Sequence, residues 1–201
     1  MKYRLLQARE PGDPVRKDER NSFAMRMGVD LEDILPWDLL ARTPDYASVT
    51  EGVDAVLVGG SGAFSVYNDE PWIAPFVETM GELAGRQFPT LAACFGFQAM
   101  VVALGGDVRR DQAGAEVGTS RLHCLDEVQE DPLFSRLPLS FLAQQGHKDR
   151  AVTLPEGVTN YIASERCPFQ GIRVGDGLVY AVQFHPELTG EENRSRFERY
   201  E

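Results

Sequence analysis

The first half of the chain alternates short apolar runs with longer segments in which apolar side chains recur at helical spacing. The apolar runs predict buried strands over residues 3–8, 54–62 and 89–94. The helical spacing predicts helices over residues 18–28, 70–86 and 96–104, and a proline- and glycine-containing loop over 10–18. Such an order of strands and helices is typical of a mainly parallel sheet that is covered on both faces.

The pattern changes after Asp107, where short strand-like segments are separated by turn signals. One of these signals, "GDG" over residues 175–177, predicts a hairpin turn. No linker-like stretch separates the two halves of the chain. The sequence therefore predicts a single α/β domain over residues 1–201 with a mixed sheet.

Composition and charge exclude several classes of function. The 201 residues are 43% hydrophobic and carry a formal net charge of −11, so binding to nucleic acid or to an anionic membrane surface is not expected. No apolar run approaches the ~20 residues of a transmembrane helix, and the N-terminus does not resemble a signal peptide. The three cysteines are far apart and form no CxxC motif. A reducing cytoplasm is therefore the expected compartment.

A cysteine stands at the predicted corner between a strand and a helix, in "LAACFGFQAM" over residues 91–100. Small residues surround it, as a tight turn requires, and the start of a helix favours a thiolate. These features are typical of a nucleophile elbow, in which Cys94 would adopt strained backbone angles and the N–H of Phe95 would face an oxyanion. A small buried structural cysteine would fit the same stretch, so this segment alone leaves both interpretations open.

A possible base for Cys94 follows the last apolar run. His185 ends that run, Pro186 stops it, and Glu187 lies two residues beyond the histidine. On extended backbone the two side chains project to the same side, so the carboxylate could orient the imidazole. Cys94, His185 and Glu187 are thus candidates for a catalytic triad across neighbouring strand ends, whereas the other cysteines, Cys124 and Cys167, lack this setting.

Several motifs together resemble the class I glutamine amidotransferases, in particular stand-alone proteins similar to the amidotransferase domain of GMP synthase. The elbow "AACFGFQ" matches the family's G-x-C-x-G-x-Q at Cys94, Gly96 and Gln98, and "QFHPE" is intact over residues 183–187. "GGSGAFSV" over residues 59–66 resembles the family's oxyanion loop, and "EVG" at 116–118 and "GHKD" at 146–149 follow in family order. Ala92 and Phe97 depart from the residues that are usual in the family.

The resemblance implies a flavodoxin-like three-layer sandwich with a mainly parallel mixed sheet. It also implies that Cys94 attacks the side-chain amide of glutamine with His185 and Glu187, and that no cofactor or metal takes part. The implied oxyanion donors are the N–H groups of Gly60 and Phe95. The implied substrate-binding residues are Gly59, Gln98, Glu116, Val117, Gly118 and His147, and the role of the histidine could also be structural.

Three functions remain open from the sequence. A glutaminase-type amidotransferase would release ammonia, and a separate synthetase subunit would accept it, because the chain has no GxxxxGK[ST] nucleotide-binding loop. A γ-glutamyl peptidase would use the same thioester chemistry on γ-glutamyl conjugates. A non-catalytic scaffold could keep the fold, although the intact triad argues against it.

Overall fold

The computed structural model describes residues 1–200, and its first half consists of strands and helices in alternation. The strands are β1 (Tyr3–Gln7), β2 (Ile34–Asp38), β3 (Ala55–Val58) and β4 (Thr90–Ala93). The helices are α1 (Val15–Met27), α2 (Tyr46–Thr50), α3 (Ile73–Gly85) and α4 (Phe95–Ala103).

The second half is rich in strands. These are β5 (Asp107–Arg110), β6 (Glu116–Cys124), β7 (Ser140–His147), β8 (Asp149–Thr153), β9 (Val158–Ser164), β10 (Gly171–Val174) and β11 (Val179–Val182). A helix, α5 (Gly190–Tyr200), follows. Short 3-10 turns lie at Leu31–Asp33, Asp126–Glu130 and Phe134–Arg136.

Nine strands form one mixed sheet in the order β2-β1-β3-β4-β11-β10-β9-β6-β7. The strands from β2 to β11 in this order pair in parallel, and the strands from β11 to β7 pair antiparallel. The remaining two, β5 and β8, form a separate antiparallel pair. The predicted hairpin at residues 175–177 is confirmed, because it joins the antiparallel strands β10 and β11.

Both faces of the parallel strands are covered, since their side chains alternate between two apolar clusters. Leu6 packs in the cluster that contains Phe76 and Met80 of α3 and Met100 of α4. Its neighbour Leu5 packs on the opposite face, in the cluster that includes Phe23 and Ala24 of α1. Successive side chains of a strand point to opposite faces of the sheet. Because both faces are covered here, nearly every position of these strands is apolar.

Two local predictions were wrong at their boundaries or missed an element. Helix α1 begins at Val15, inside the predicted loop, because Pro14 suits a helix start and Asp13 Oδ1 accepts a hydrogen bond from the N–H of Val15 at 2.9 Å. Strand β2 was not predicted: it contains Pro36, which is tolerated because the strand lies at the edge of the sheet.

Within residues 1–200, no helix is both long enough and apolar enough to cross a membrane.

Candidate active site

Two neighbouring parallel strands end at the same edge of the sheet, and the predicted nucleophile and base follow their ends. Strand β4 pairs with β11, and Ala93 lies opposite Val182 in the register. Cys94 follows Ala93 directly, and His185 lies three residues beyond Val182. Because the strands are parallel, both side chains emerge beyond the carboxyl ends of the sheet, where open α/β sheets form their sites.

The backbone at Cys94 has the strained conformation that was expected of an elbow. Its φ of 50° and ψ of −100° are unusual for a residue other than glycine. The corner is held by a hydrogen bond from the N–H of Cys94 to the carbonyl of Val182 at 2.8 Å. Helix α4 begins at the next residue. Gly96 is needed there, since a Cβ would lie 2.7 Å from Cγ1 of Val58.

His185 is held both at its backbone and at its ring, and the ring lies beside Cys94. Its backbone N–H donates to the carbonyl of Gln144 in β7 at 2.9 Å, and its Nδ1 lies 2.9 Å from Oε1 of Glu187. Burial alone would lower the pKa of His185, but the Glu187 carboxylate and the Cys94 sulfur outweigh it and raise the pKa to about 10. At neutral pH the His185 ring is therefore held in its protonated, charged form.

Glu187 is almost fully buried and has a second charged partner. Nη1 of Arg196 donates to the same Oε1 at 3.0 Å. Burial would raise the pKa of the Glu187 carboxyl, but His185 and Arg196 outweigh it and lower the pKa to about 2. The carboxylate therefore stays ionised at neutral pH.

The glycine loop after β3 lies against the cysteine and the histidine. A Cβ at Gly60 would lie 2.6 Å from Cε1 of His185 and 3.5 Å from Cβ of Cys94. Only glycine leaves room for the ring in this position. Gly59 faces the other way, because a Cβ there would lie 2.4 Å from Oε1 of Glu19 in α1.

A cavity of about 280 Å³ opens over this sheet edge. Six residues that the sequence predicted line it, namely Cys94, Phe95, Gln98, Val117, His147 and His185. Basic side chains also reach it, among them Arg9, Arg110, Lys148 and Arg196. Three of these side chains are paired with carboxylates: Arg9 with Glu19, Arg110 with Asp149 and Arg196 with Glu187.

Two of the predicted substrate-binding residues that line the cavity are Gln98 and Val117, and Gly118 follows Val117 in β6. Gln98 is held by hydrogen bonds from its Nε2 to the carbonyl of Asp149 at 2.9 Å and to Oε1 of Gln183 at 3.3 Å. Val117 is exposed. The next residue, Gly118, has a φ of 88°, and its carbonyl accepts a hydrogen bond from Asn193 at 3.3 Å.

His147 belongs to a buried network and not to the Cys94–His185 pair. Its Nδ1 lies 3.1 Å from the carbonyl of Asp149, and its Nε2 lies 3.3 Å from Oε2 of Glu116. The same carboxylate oxygen accepts hydrogen bonds from Ser164 at 2.9 Å and Gln170 at 2.6 Å. These bonds tie β6 to the segments on either side and shape the wall behind the cavity.

One group of side chains has the chemistry of a metal site. Glu116, His147 and Cys167 are buried, and their ligand atoms lie within 4.8 Å of one another. Glu116 Oε2, however, already accepts from two other side chains, and burial raises the pKa of the Cys167 thiol to about 11. A metal needs the thiolate and free lone pairs, so the contacts favour a hydrogen-bonded network. Burial also raises the pKa of Cys124.

Comparison with known proteins decides the family. The sequence pattern of the family described as "Glutamine amidotransferase class-I" matches residues 25–200. The chain belongs to the class-I glutamine amidotransferases. The match includes the Cys94 elbow, the His185–Glu187 segment and helix α5, so all the side chains around the cavity that were described above, except Arg9, lie within it.

Two relatives whose names refer to GMP synthase illustrate how much of such a protein this chain represents. It is 37% identical over 158 residues to "GMP synthase [glutamine-hydrolyzing]" of Thermosipho melanesiensis, and the alignment covers 78% of this chain and 28% of that protein. It is 33% identical over 160 residues to a Sulfolobus acidocaldarius protein that is named as one subunit of such a synthase, and this alignment covers 77% of this chain and 79% of that protein. The chain thus spans less than a third of the first relative.

Solved structures of other amidotransferases share the fold. A glutamine amidotransferase from Thermotoga maritima aligns with a TM-score of 0.77 and 20% identity, over 99% of this chain and 81% of that one. A glutamine amidotransferase from Methylobacillus flagellatus aligns with a TM-score of 0.74 and 18% identity, over 98% and 74% of the two chains. These likenesses confirm the predicted fold class.

The sequence missed two side chains that helix α5 brings to the site. Asn193 donates to the carbonyls of Gln145 at 3.0 Å and Gly118 at 3.3 Å, and Arg196 contacts Glu187. The two residues are three positions apart, so they lie on one face of the helix. This spacing was the available signal, but the helix is so polar overall that no apolar face indicated which side is buried.

Proposed function

We propose that this protein is a glutaminase-type amidotransferase, a single amidotransferase-like domain in which Cys94, His185 and Glu187 act as the catalytic triad. The observation that carries the proposal is the convergence at one sheet edge. A cysteine with a φ of 50° lies beside a histidine whose Nδ1 is 2.9 Å from a buried carboxylate, and all of this borders a cavity of about 280 Å³.

In the first half of the reaction, the Cys94 thiolate attacks the side-chain amide carbon of glutamine. The C–S bond forms, and the carbonyl electron pair moves to oxygen, where the N–H groups of Phe95 and Gly60 stabilise the negative charge. The charged His185 ring then gives its proton to the amide nitrogen. The C–N bond breaks, ammonia leaves, and a γ-glutamyl thioester remains on Cys94.

In the second half, water replaces ammonia. His185, now neutral, takes a proton from the water as it attacks the thioester carbon. The C–S bond breaks, glutamate leaves, and the thiolate and the charged ring are restored. Glu187 transfers no proton: it orients the ring and stabilises its charge, which is consistent with its low pKa.

The cavity wall supports roles for the other predicted residues. Gln98, Val117 and His147 line the space where glutamine would bind. Glu116 and Gly118 support this surface from behind through hydrogen bonds, and Gly59 allows the close approach of Glu19 in α1. The names of the relatives specify glutamine hydrolysis, which favours glutamine over a γ-glutamyl conjugate.

The ammonia acceptor is proposed to bind to a separate synthetase polypeptide. The Sulfolobus relative is named as a subunit, and 79% of its length aligns with this chain, whereas the Thermosipho relative extends far beyond the aligned part. We therefore propose that a partner protein consumes the ammonia that is released from glutamine.

The direct test is to incubate the purified protein with glutamine and measure glutamate and ammonia. We expect both products in equal amounts, and we expect Cys94→Ala to abolish their formation. Cys124→Ala is the matched control, because Cys124 lies on β6 and does not line the cavity, so the rate should stay unchanged. Release of glutamate from γ-glutamyl peptides but not from glutamine would contradict the proposal, as would full activity of Cys94→Ala.

A further inference from the structure

Arg196 contacts the carboxylate oxygen that also holds the His185 ring. Its Nη1 lies 3.0 Å from Oε1 of Glu187, and Nδ1 of His185 lies 2.9 Å from the same atom. The arginine side chain is 11% exposed and the glutamate side chain is fully buried. Because both partners are buried, solvent and salt screen this charge-assisted bond much less than they screen a surface ion pair.

Helix α5 holds the arginine in place through contacts on two sides. Asn193, one turn earlier, donates to the carbonyl of Gln145 in β7 at 3.0 Å. Glu192 accepts hydrogen bonds from Ser22 at 3.2 Å and from Arg26 at 3.0 Å, both in α1. The guanidinium is therefore carried by a helix that is anchored to the sheet and to a neighbouring helix, unlike an arginine on a free surface.

We propose that Arg196 is a positioning residue of the triad: it fixes the Glu187 oxygen that His185 uses and partly neutralises the carboxylate. The inference rests on the proposed function of Cys94, His185 and Glu187. Its physical basis is that two donors share one oxygen. A carboxylate that also binds a guanidinium attracts the imidazole proton less strongly than a free carboxylate does.

Other charged side chains also lie near His185 and Glu187, and their effects on the pH dependence have to be considered beside that of Arg196. Cys94 approaches the ring from the elbow between β4 and α4. The further titratable or charged side chains that reach the cavity are Arg9 after β1, which pairs with Glu19 of α1, Arg110 of β5, His147 of β7, Lys148, and Asp149 of β8. Arg196 differs from these residues because it contacts Glu187 directly.

Removal of the arginine charge should shift the pH dependence upward. In Arg196→Gln the uncompensated carboxylate would hold the His185 proton more tightly, so the alkaline limb of kcat/KM moves to higher pH. We expect a shift of about one pH unit, the size typical of losing one nearby charge. We also expect a lower kcat at neutral pH, because the Glu187 oxygen that orients the ring is no longer fixed.

Three further variants separate this role from simpler ones. Arg194→Met is the matched control: it lies on the same helix, pairs with Glu198 at 2.9 Å and is exposed, so its pH profile should equal that of the wild type. Arg196→Lys keeps the charge and should retain the wild-type profile with a lower kcat. In a Glu187→Gln background, the change from Arg196 to Gln should produce no further shift.

A second readout does not depend on glutaminase activity. The rate of Cys94 alkylation by iodoacetamide, measured against pH, reports the ionisation of the same pair. We expect the profile of Arg196→Gln to move by the same amount as that of kcat/KM. If the alkylation profile of Arg196→Gln is shifted but the wild type does not hydrolyse glutamine, the proposed function fails and the positioning role stands.

Two results would overturn the inference about Arg196. An unshifted pH profile in Arg196→Gln would show that the arginine does not act on the charge of the pair. A large rise in KM with kcat unchanged would show that Arg196 binds substrate, since it also lines the cavity. If Arg196→Gln does not fold, the comparison of Arg196→Lys with the wild type decides, because an altered pH profile there would also contradict the proposal.

Discussion

Gly60 offers a sharp steric test of the active site. Its φ does not lie in the left-handed region, so alanine adds no strain of that kind. The N–H that is proposed to bind the oxyanion is retained. The added Cβ, however, would lie 2.6 Å from Cε1 of His185. Gly60→Ala therefore perturbs the position of the ring and little else.

The expected magnitude follows from this distance. Ordinary van der Waals contacts of a Cβ begin at 3.4 Å, so the ring has to retreat. His185 is also tied to Gln144 through its backbone and to Glu187 through its ring, so the retreat stretches the contact with Glu187 or with Cys94. A displacement of about 1 Å in a catalytic group typically costs about 10²-fold in rate, and we expect this loss in kcat.

The assay is glutamine hydrolysis by Gly60→Ala and by a control, Gly85→Ala. Gly85 ends α3, and a Cβ there would have no neighbour within 4 Å, so the control should keep wild-type activity. Thermal unfolding of both variants would show that they remain folded. Activity of Gly60→Ala within about twofold of the wild type would contradict this position of the His185 ring, because a ring that lies against Gly60 would be displaced by the added Cβ.

Three further outcomes are expected. Cys94→Ala and His185→Ala should each lower kcat by 10³-fold or more and Glu187→Ala by roughly 10²-fold or less, since in the proposed mechanism the carboxylate only orients the ring. Equal losses in steady-state assays would contradict this order. Limiting iodoacetamide should label Cys94 before Cys124 and Cys167, as peptide mass mapping would reveal, because burial raises the pKa of the other two thiols. The folded-state pKa of Glu187 is depressed from 4.5 to about 2, so its ionised form stabilises the fold above pH 4.5 and this contribution is lost as the pH falls towards 2. The difference in free energy of unfolding between wild type and Glu187→Gln, from urea titrations, should therefore shrink over that pH range, and a constant difference would contradict the sign.

Two local parts of the site can be predicted from the sequence alone. A buried strand, a cysteine and a helix within about ten residues predict an elbow because small residues are required at the corner, and the contact of Gly96 with Val58 has that cause. The His-x-Glu segment at residues 185–187 was equally readable, because two residues on extended backbone share a side. In the same way, the short apolar runs predicted β1, β3 and β4 to within a few residues.

Which of these parts come into contact depends on how the strands pair. Strands β4 and β11 are distant in the chain, and their parallel pairing, with Ala93 opposite Val182, is what brings Cys94 to His185. The sequence likewise did not separate the two candidate histidines by geometry: His147 turns to Glu116 because β6 and β7 pair with these two residues in register.

Helix α5 is the clearest case of a buried face that the sequence does not reveal. Its polar sequence predicts no buried face, yet Asn193 and Arg196 point inward because the ends of β6 and β7 and the Glu187 carboxylate offer them acceptors. Apolar periodicity reports burial that is driven by the hydrophobic effect. It carries no information about polar side chains that are buried by specific hydrogen bonds, and their partners exist only after distant segments have come together.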